Sequence, residues 1–169
     1  MDRKPKQEKI NELLKKEILA MVDADQKMRK SSEWDPGIDK RNTRRMKEII
    51  EQYGWPGKSL IGRKAADGAW LLVQHTDNDV DFQERVLGLL REAIAAGEAE
   101  KMNEAYLTDR IRVNKGQPQV FGTQFWKDQN ANFVPRPIEN IEHLEERRKE
   151  FNLEPFSEYE KRIRKIETG

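Results

Sequence analysis

Apolar residues recur at intervals of three and four through most of this chain, and that spacing constrains its fold more than any other feature. From about residue 6 to 30, Ile10, Leu14, Ile18, Met21, Val22 and Met28 follow the rule. The pattern predicts a first helix there. It is broken by Ser31-Ser32-Glu33-Trp34-Asp35-Pro36-Gly37, where a restricted pre-proline residue meets a turn glycine. Asp39 is placed to cap a second helix carrying Met46, Ile49, Ile50 and Tyr53 and closed by Gly54.

A third helix is expected from about Arg63 to His75, a fourth from near Asp79 to Gly97, and a fifth from Lys101 to Asn114, closed by Gly116. Two β-prone runs, Gln119 to Trp126 and Ala131 to Val134, flank the polar turn Lys127-Asp128-Gln129-Asn130 and read as a hairpin over 119–134. Charged helices then occupy about 140–167. The expected fold is mainly α: one domain over 1–169, a bundle of six to seven helices with that small hairpin inserted.

Charged residues make up 37% of the chain and mean hydropathy is −0.98, so the helices must carry densely charged outer faces. Lysine and arginine number 32 against 31 acidic residues, a balance that argues against a nucleic-acid partner. The absence of cysteine excludes disulfides and thiolate chemistry. No apolar stretch reaches the roughly 18 residues a membrane span needs, and Met1-Asp2-Arg3-Lys4-Pro5 does not begin a signal peptide, so a cytoplasmic protein is expected.

Outer-face charges are ordinary; polar residues on the apolar stripes are not, because an unpaired buried polar group costs about 1–3 kcal/mol. Asp25 extends the line Leu14, Ile18, Met21, with Gln26 beside it and Arg29 one turn on. Asn42 lies on the face of Met46 and Ile49, Gln83 on that of Leu87 and Leu90, and Asp109 on that of Met102 and Val113. Gln74 and His75 add an amide and an imidazole where the third helix ends. Such recurrence implies either a buried hydrogen-bond network or the floor of a pocket.

His75 is the natural acid or base, with Asp109 to orient it. Arg110 could hold an anion, Tyr106 could donate a hydrogen bond, and Gln74 and Gln124 could position a substrate. The competing reading is that His75 simply faces the last carbonyls of its helix. His75, Asp77, Asp79 and Asp81 alternate like metal ligands, but Phe82 and Gly88 occupy positions where a calcium loop needs glycine and glutamate. Helix capping explains the same letters, and no metal or other cofactor is expected. Gly54 to Ser59 lacks the spacing of a phosphate loop.

Tyr53-Gly54-Trp55-Pro56, Ala65-Ala66 through Trp70 to Gln74-His75, Tyr106-Leu107-Thr108-Asp109-Arg110 and Phe121-Gly122-Thr123-Gln124 together resemble a bacterial family of unknown function. Its members carry GWP, AAW…VQHAD, YLTDR and YGTQ motifs, and the likeness covers about residues 10 to 160. Phe121 stands here where that pattern has tyrosine, and Thr76 where it has alanine. The resemblance singles out Gln74, His75, Asp109, Arg110 and Gln124 as a set without implying an activity. Two functions are therefore expected as alternatives. One is an enzyme acting on a small polar or peptide-like substrate by hydrolysis or elimination. The other is a non-catalytic module with a structural polar network that binds a protein partner.

Overall fold

The computed structural model describes residues 3–31, 35–130 and 132–168. Ser32, Glu33 and Trp34 of the expected interhelical turn, and Ala131 of the expected hairpin, lie outside the described residues. The chain is mainly α-helical, with eight α-helices and one two-stranded antiparallel hairpin among the described residues. It divides into two compact units, 1–99 and 100–169.

In the first unit α1 spans Arg3–Lys30, α2 Pro36–Tyr53, α3 Lys58–Ile61, α4 Arg63–Gln74 and α5 Val80–Ala95. The start of α2 corrects the sequence reading: Asp35, not Asp39, is the cap, its side chain accepting from Gly37 N, with Pro36 following where a missing N–H costs nothing. Asp39 is thereby released for an ion pair. The four-residue α3 has too little sequence to show a period. Asp79 caps α5, its carboxylate accepting from Phe82 N at 3.0 Å, and also pairs with Lys47 of α2.

α4 is the centre of this unit, packing against α1, α2, α3 and α5. Its Ala65, Ala66, Gly68 and Ala69 let α1 approach closely: a Cβ on Gly68 would stand 2.9 Å from Val22 Cγ2. Ile18, Met46, Ile49, Leu72, Val73, Phe82, Val86 and Leu90 are buried around it. Each such larger side chain contributes about 1.5–3 kcal/mol by leaving water.

The second unit comprises α6 Lys101–Asn114, β1 Phe125–Lys127, β2 Phe133–Pro135, a 3-10 turn Ile141–His143, α7 Leu144–Glu150 and α8 Phe156–Thr168. The strands pair Phe125 with Pro135, Trp126 with Val134 and Lys127 with Phe133. Asp128 builds their turn by accepting from Asn130 N and Asn132 N, each at 2.8 Å. The hairpin is thus shorter than 119–134. Residues 119–124 are not strand; they form a loop whose backbone bonds to side chains, Gln119 making only a single parallel bridge to Ile138. Phe125 stacks on Phe133 and Phe156, which gives two short strands the helical support they need. The charged run Glu145 to Lys149 is not wholly exposed, because Arg148 is buried.

Candidate functional site

Helix periodicity carries Asp25 into the interior of the first unit, where it is 0% exposed. A carboxylate there needs compensation, and three side chains supply it. Arg29, one turn along α1, donates from Nε to Asp25 Oδ1 at 3.1 Å, and Gln26 donates to Oδ2 at 2.8 Å. His75 brings Nδ1 to 3.0 Å from both carboxylate oxygens. Arg29 Nη2 also donates to Asp39 Oδ1 on α2 at 2.6 Å. Burial pushes the Asp25 carboxyl up, but the His75 hydrogen bond and charge, with the bonds from Arg29 and Gln26, outweigh it and leave the pKa at about 2. Burial also raises Asp39, opposed by the Arg29 guanidinium and assisted by the neighbouring Asp25 charge.

These contacts assign the imidazole tautomer. An ionised carboxylate only accepts, so Nδ1 carries the proton facing Asp25. Arg29 Nε also lies 3.0 Å from Nδ1, but with that nitrogen protonated its hydrogen goes to Asp25 Oδ1. In the neutral ring the lone pair is therefore on Nε2, which has no hydrogen-bond partner among the described residues. His75 is 15% exposed against 0% for Asp25, so solvent reaches the ring while its partner stays dry. His75 is at the same time the residue that ends α4, its N–H bonding back to Leu71 O and Leu72 O. The helix-end reading of His75 and the reactive one concern different atoms of one residue.

The other expected residues of the first unit lie on the same turn. Gln74 is buried, and its carbonyl accepts from Gln83 Nε2 at 3.3 Å; the same amide reaches Asp77 Oδ1 at 3.4 Å. Thr43 Oγ1 stands 2.8 Å from Asp39 O and 3.0 Å from Asn78 Oδ1, which clamps the turn onto α2. Asn42 is buried with Nδ2 lacking a partner among the described residues. No group of three His, Asp or Glu side chains among the described residues is arranged to hold a metal ion. His75 goes to Asp25 and Asp79 to its cap and Lys47, so the alternating acids serve different elements.

Asp109 occupies a comparable position in the second unit, fully buried on α6. Its carboxylate accepts from Val120 N at 2.7 Å, Phe121 N at 3.0 Å, Thr123 N at 2.9 Å and Thr123 Oγ1 at 2.9 Å. Burial raises its pKa and these hydrogen bonds oppose the rise. The side chain acts as a template for the loop 119–124. Gln119 closes that loop by donating to Gln124 O at 3.0 Å and Arg136 O at 2.8 Å while accepting from Gln124 N at 2.8 Å. Arg147 donates to Val120 O, Arg148 to Phe121 O, and Tyr159 to Thr123 O at 2.9 Å. Gly122 has φ +70°, and a Cβ there would lie 2.8 Å from Phe156 Cε2, so this turn accepts glycine alone without rearrangement.

The expected pair Arg110 and Gln124 is brought together. Arg110 Nη1 donates to Gln124 Oε1 at 3.1 Å, Gln124 Nε2 donates to Thr123 Oγ1 at 3.1 Å, and Thr123 bonds to Asp109. Tyr106, half-buried on the same helix, meets Tyr159 edge-on with ring centroids 6.2 Å apart. Sequence reasoning missed Asp25 as the carboxylate beside His75, although its four-residue spacing from Arg29 on an apolar stripe marked it as a buried ion pair. It also missed Gln119, Arg148 and Tyr159, whose partners are backbone atoms and leave no trace in side-chain spacing, and Thr123, which meets Asp109 from a loop fourteen residues on.

Fold and site together define a mainly α-helical protein with an arginine and a histidine gathered on a buried aspartate in one unit and a carboxylate-templated loop in the other. The chain belongs to a family of unknown function, DUF6624, whose family model matches residues 12–168. No curated protein and no solved structure matches it. No helix among the described residues is long and apolar enough to cross a membrane.

Proposed function

We propose that this protein is an enzyme acting on a small polar or peptide-like substrate by hydrolysis or elimination, with His75 as the acid/base. The observation that carries the reading is a buried, ionised Asp25 at 3.0 Å from His75 Nδ1, with the opposite ring nitrogen unbonded among the described residues. Asp25 holds the ring and stabilises the imidazolium that forms when Nε2 takes a proton. Arg29 bridges Asp25 and Asp39 and keeps the carboxylate oriented. In the second unit, taken by itself, Asp109 holds the loop on which Gln124 stands, and Arg110 with Gln124 forms a polar pair of the kind that binds an anion or an amide.

The test is a panel of ester, amide and phosphoester hydrolysis and β-elimination substrates, assayed with the wild type and with His75→Gln. Turnover in the wild type falls by about a hundredfold or more in the variant, as expected on losing a general acid/base, while the variant still unfolds cooperatively from a native-like circular dichroism spectrum. Equal turnover in both proteins refutes the assignment.

A second reading is a non-catalytic module whose polar clusters specify the fold and whose charged helices bind a protein partner. It is favoured by the complete hydrogen-bonding of Asp109, a buried group with no capacity left for a ligand. Under it, His75→Gln lowers stability and no substrate of the panel is turned over.

A further inference from the structure

Between α2 and α5 of the first unit lies a groove of about 550 Å³, within the range of small-ligand pockets. Ile50 and the buried Phe82 and Val86, with half-buried Leu89, form its apolar surface. Three charged residues line it, and they are not equivalent. Lys47 is neutralised by Asp79 and also sits 5.5 Å from the centroid of Phe82. Arg85 of α5 and Glu51 of α2 are exposed, and neither has an ion-pair partner among the described residues. Arg85 lies 5.6 Å from the Phe82 centroid, so its guanidinium stands over the apolar surface and is not directed only to bulk water. An apolar floor thus carries one unpaired cation on one wall and one unpaired anion on the other.

We propose that this groove binds a short apolar peptide in its zwitterionic form, the terminal carboxylate at Arg85, the terminal ammonium at Glu51 and the side chains on Phe82, Val86 and Leu89. A simple anion would leave Glu51 unpaired, and a simple cation would leave Arg85 unpaired; a zwitterion matches both. A fully apolar ligand would desolvate both without compensation. The groove is separate from the His75 cluster: Lys47 lies eight residues beyond Asp39, about 12 Å along the helix axis. This inference therefore does not depend on the enzymatic reading.

The experiment is an amide-resolved NMR titration of the full-length protein with leucyl-phenylalanine, its N-acetyl derivative and its C-terminal amide. The free dipeptide gives saturable shifts confined to residues 47–51 and 82–89. Capping either terminus weakens binding about threefold or more, in the range of a partly exposed ion pair. Arg85→Gln abolishes the preference for the free carboxylate only, and Glu51→Gln that for the free ammonium only. His75→Gln leaves all three affinities unchanged. Absence of saturable shifts, shifts centred elsewhere, or equal affinity for free and capped peptides overturns the proposal.

Discussion

The ionisation of Asp25 makes the sharpest prediction. Its carboxyl is held down at about 2 in the folded protein against the ordinary aspartate value of 3.8, so the folded state holds the charged form in preference. A depressed carboxylate pKa contributes stability that is present above the unfolded value and is lost as pH falls through the folded one. The difference corresponds to about 2 kcal/mol at neutral pH, reasonable for a residue with no exposed surface. About 1 kcal/mol of it disappears between about pH 5 and about pH 3, and the remainder below that.

Asp25→Asn keeps the shape and removes the titration. Urea unfolding of both proteins across this range, followed by tryptophan fluorescence, is run in an Asp39→Asn background, because the Asp25 charge raises Asp39 whereas carboxylates outside the cluster titrate in both proteins and cancel in the difference. The stability gap between the two proteins narrows by about 1 kcal/mol from about pH 5 to about pH 3. A gap that stays constant with pH refutes the claim that Asp25 is preferentially ionised in its cluster, and with it the tautomer assigned to His75.

Three further expectations follow from the packing. Asp109→Ala strips three backbone N–H groups of the loop 119–124 of their acceptor and lowers stability by about 3 kcal/mol or more in thermal or urea unfolding. Gly122→Ala combines φ +70° with a 2.8 Å approach to Phe156, and calorimetry should show a loss of at least about 1 kcal/mol. Leu72→Ala, at the centre of the first unit with 1% exposure, costs about 2–5 kcal/mol by urea unfolding.

The helices were legible because their stripes are local. Leu14, Ile18 and Met21, or Phe82, Val86 and Leu90, declare one buried face within a few turns, and left-handed glycines 54, 97 and 116 mark ends where they were expected. The inward direction of Asp25, Gln74, Gln83 and Asp109 was legible for the same reason, and all four are buried. The hairpin was legible only in part. Gln119 to Gln124 has strand-like letters, yet Asp109, eleven to fourteen residues away, offers its N–H groups a carboxylate in place of a partner strand. Propensity describes a residue's fit to a pleated surface and does not register such a competitor.

Sequence alone therefore determined the mainly α architecture and the polar intrusions into its core, since each depends on periodicity or residue chemistry within one element. Only the tertiary structure decided which carboxylate meets the imidazole. Asp25 and His75 are fifty residues apart and belong to helices whose mutual orientation follows from the close approach at Gly68 and the burial of Ile18 and Leu72. Burial then holds the carboxylate dry beside Arg29, and the resulting hydrogen bonds select the tautomer that leaves the Nε2 lone pair without a partner among the described residues.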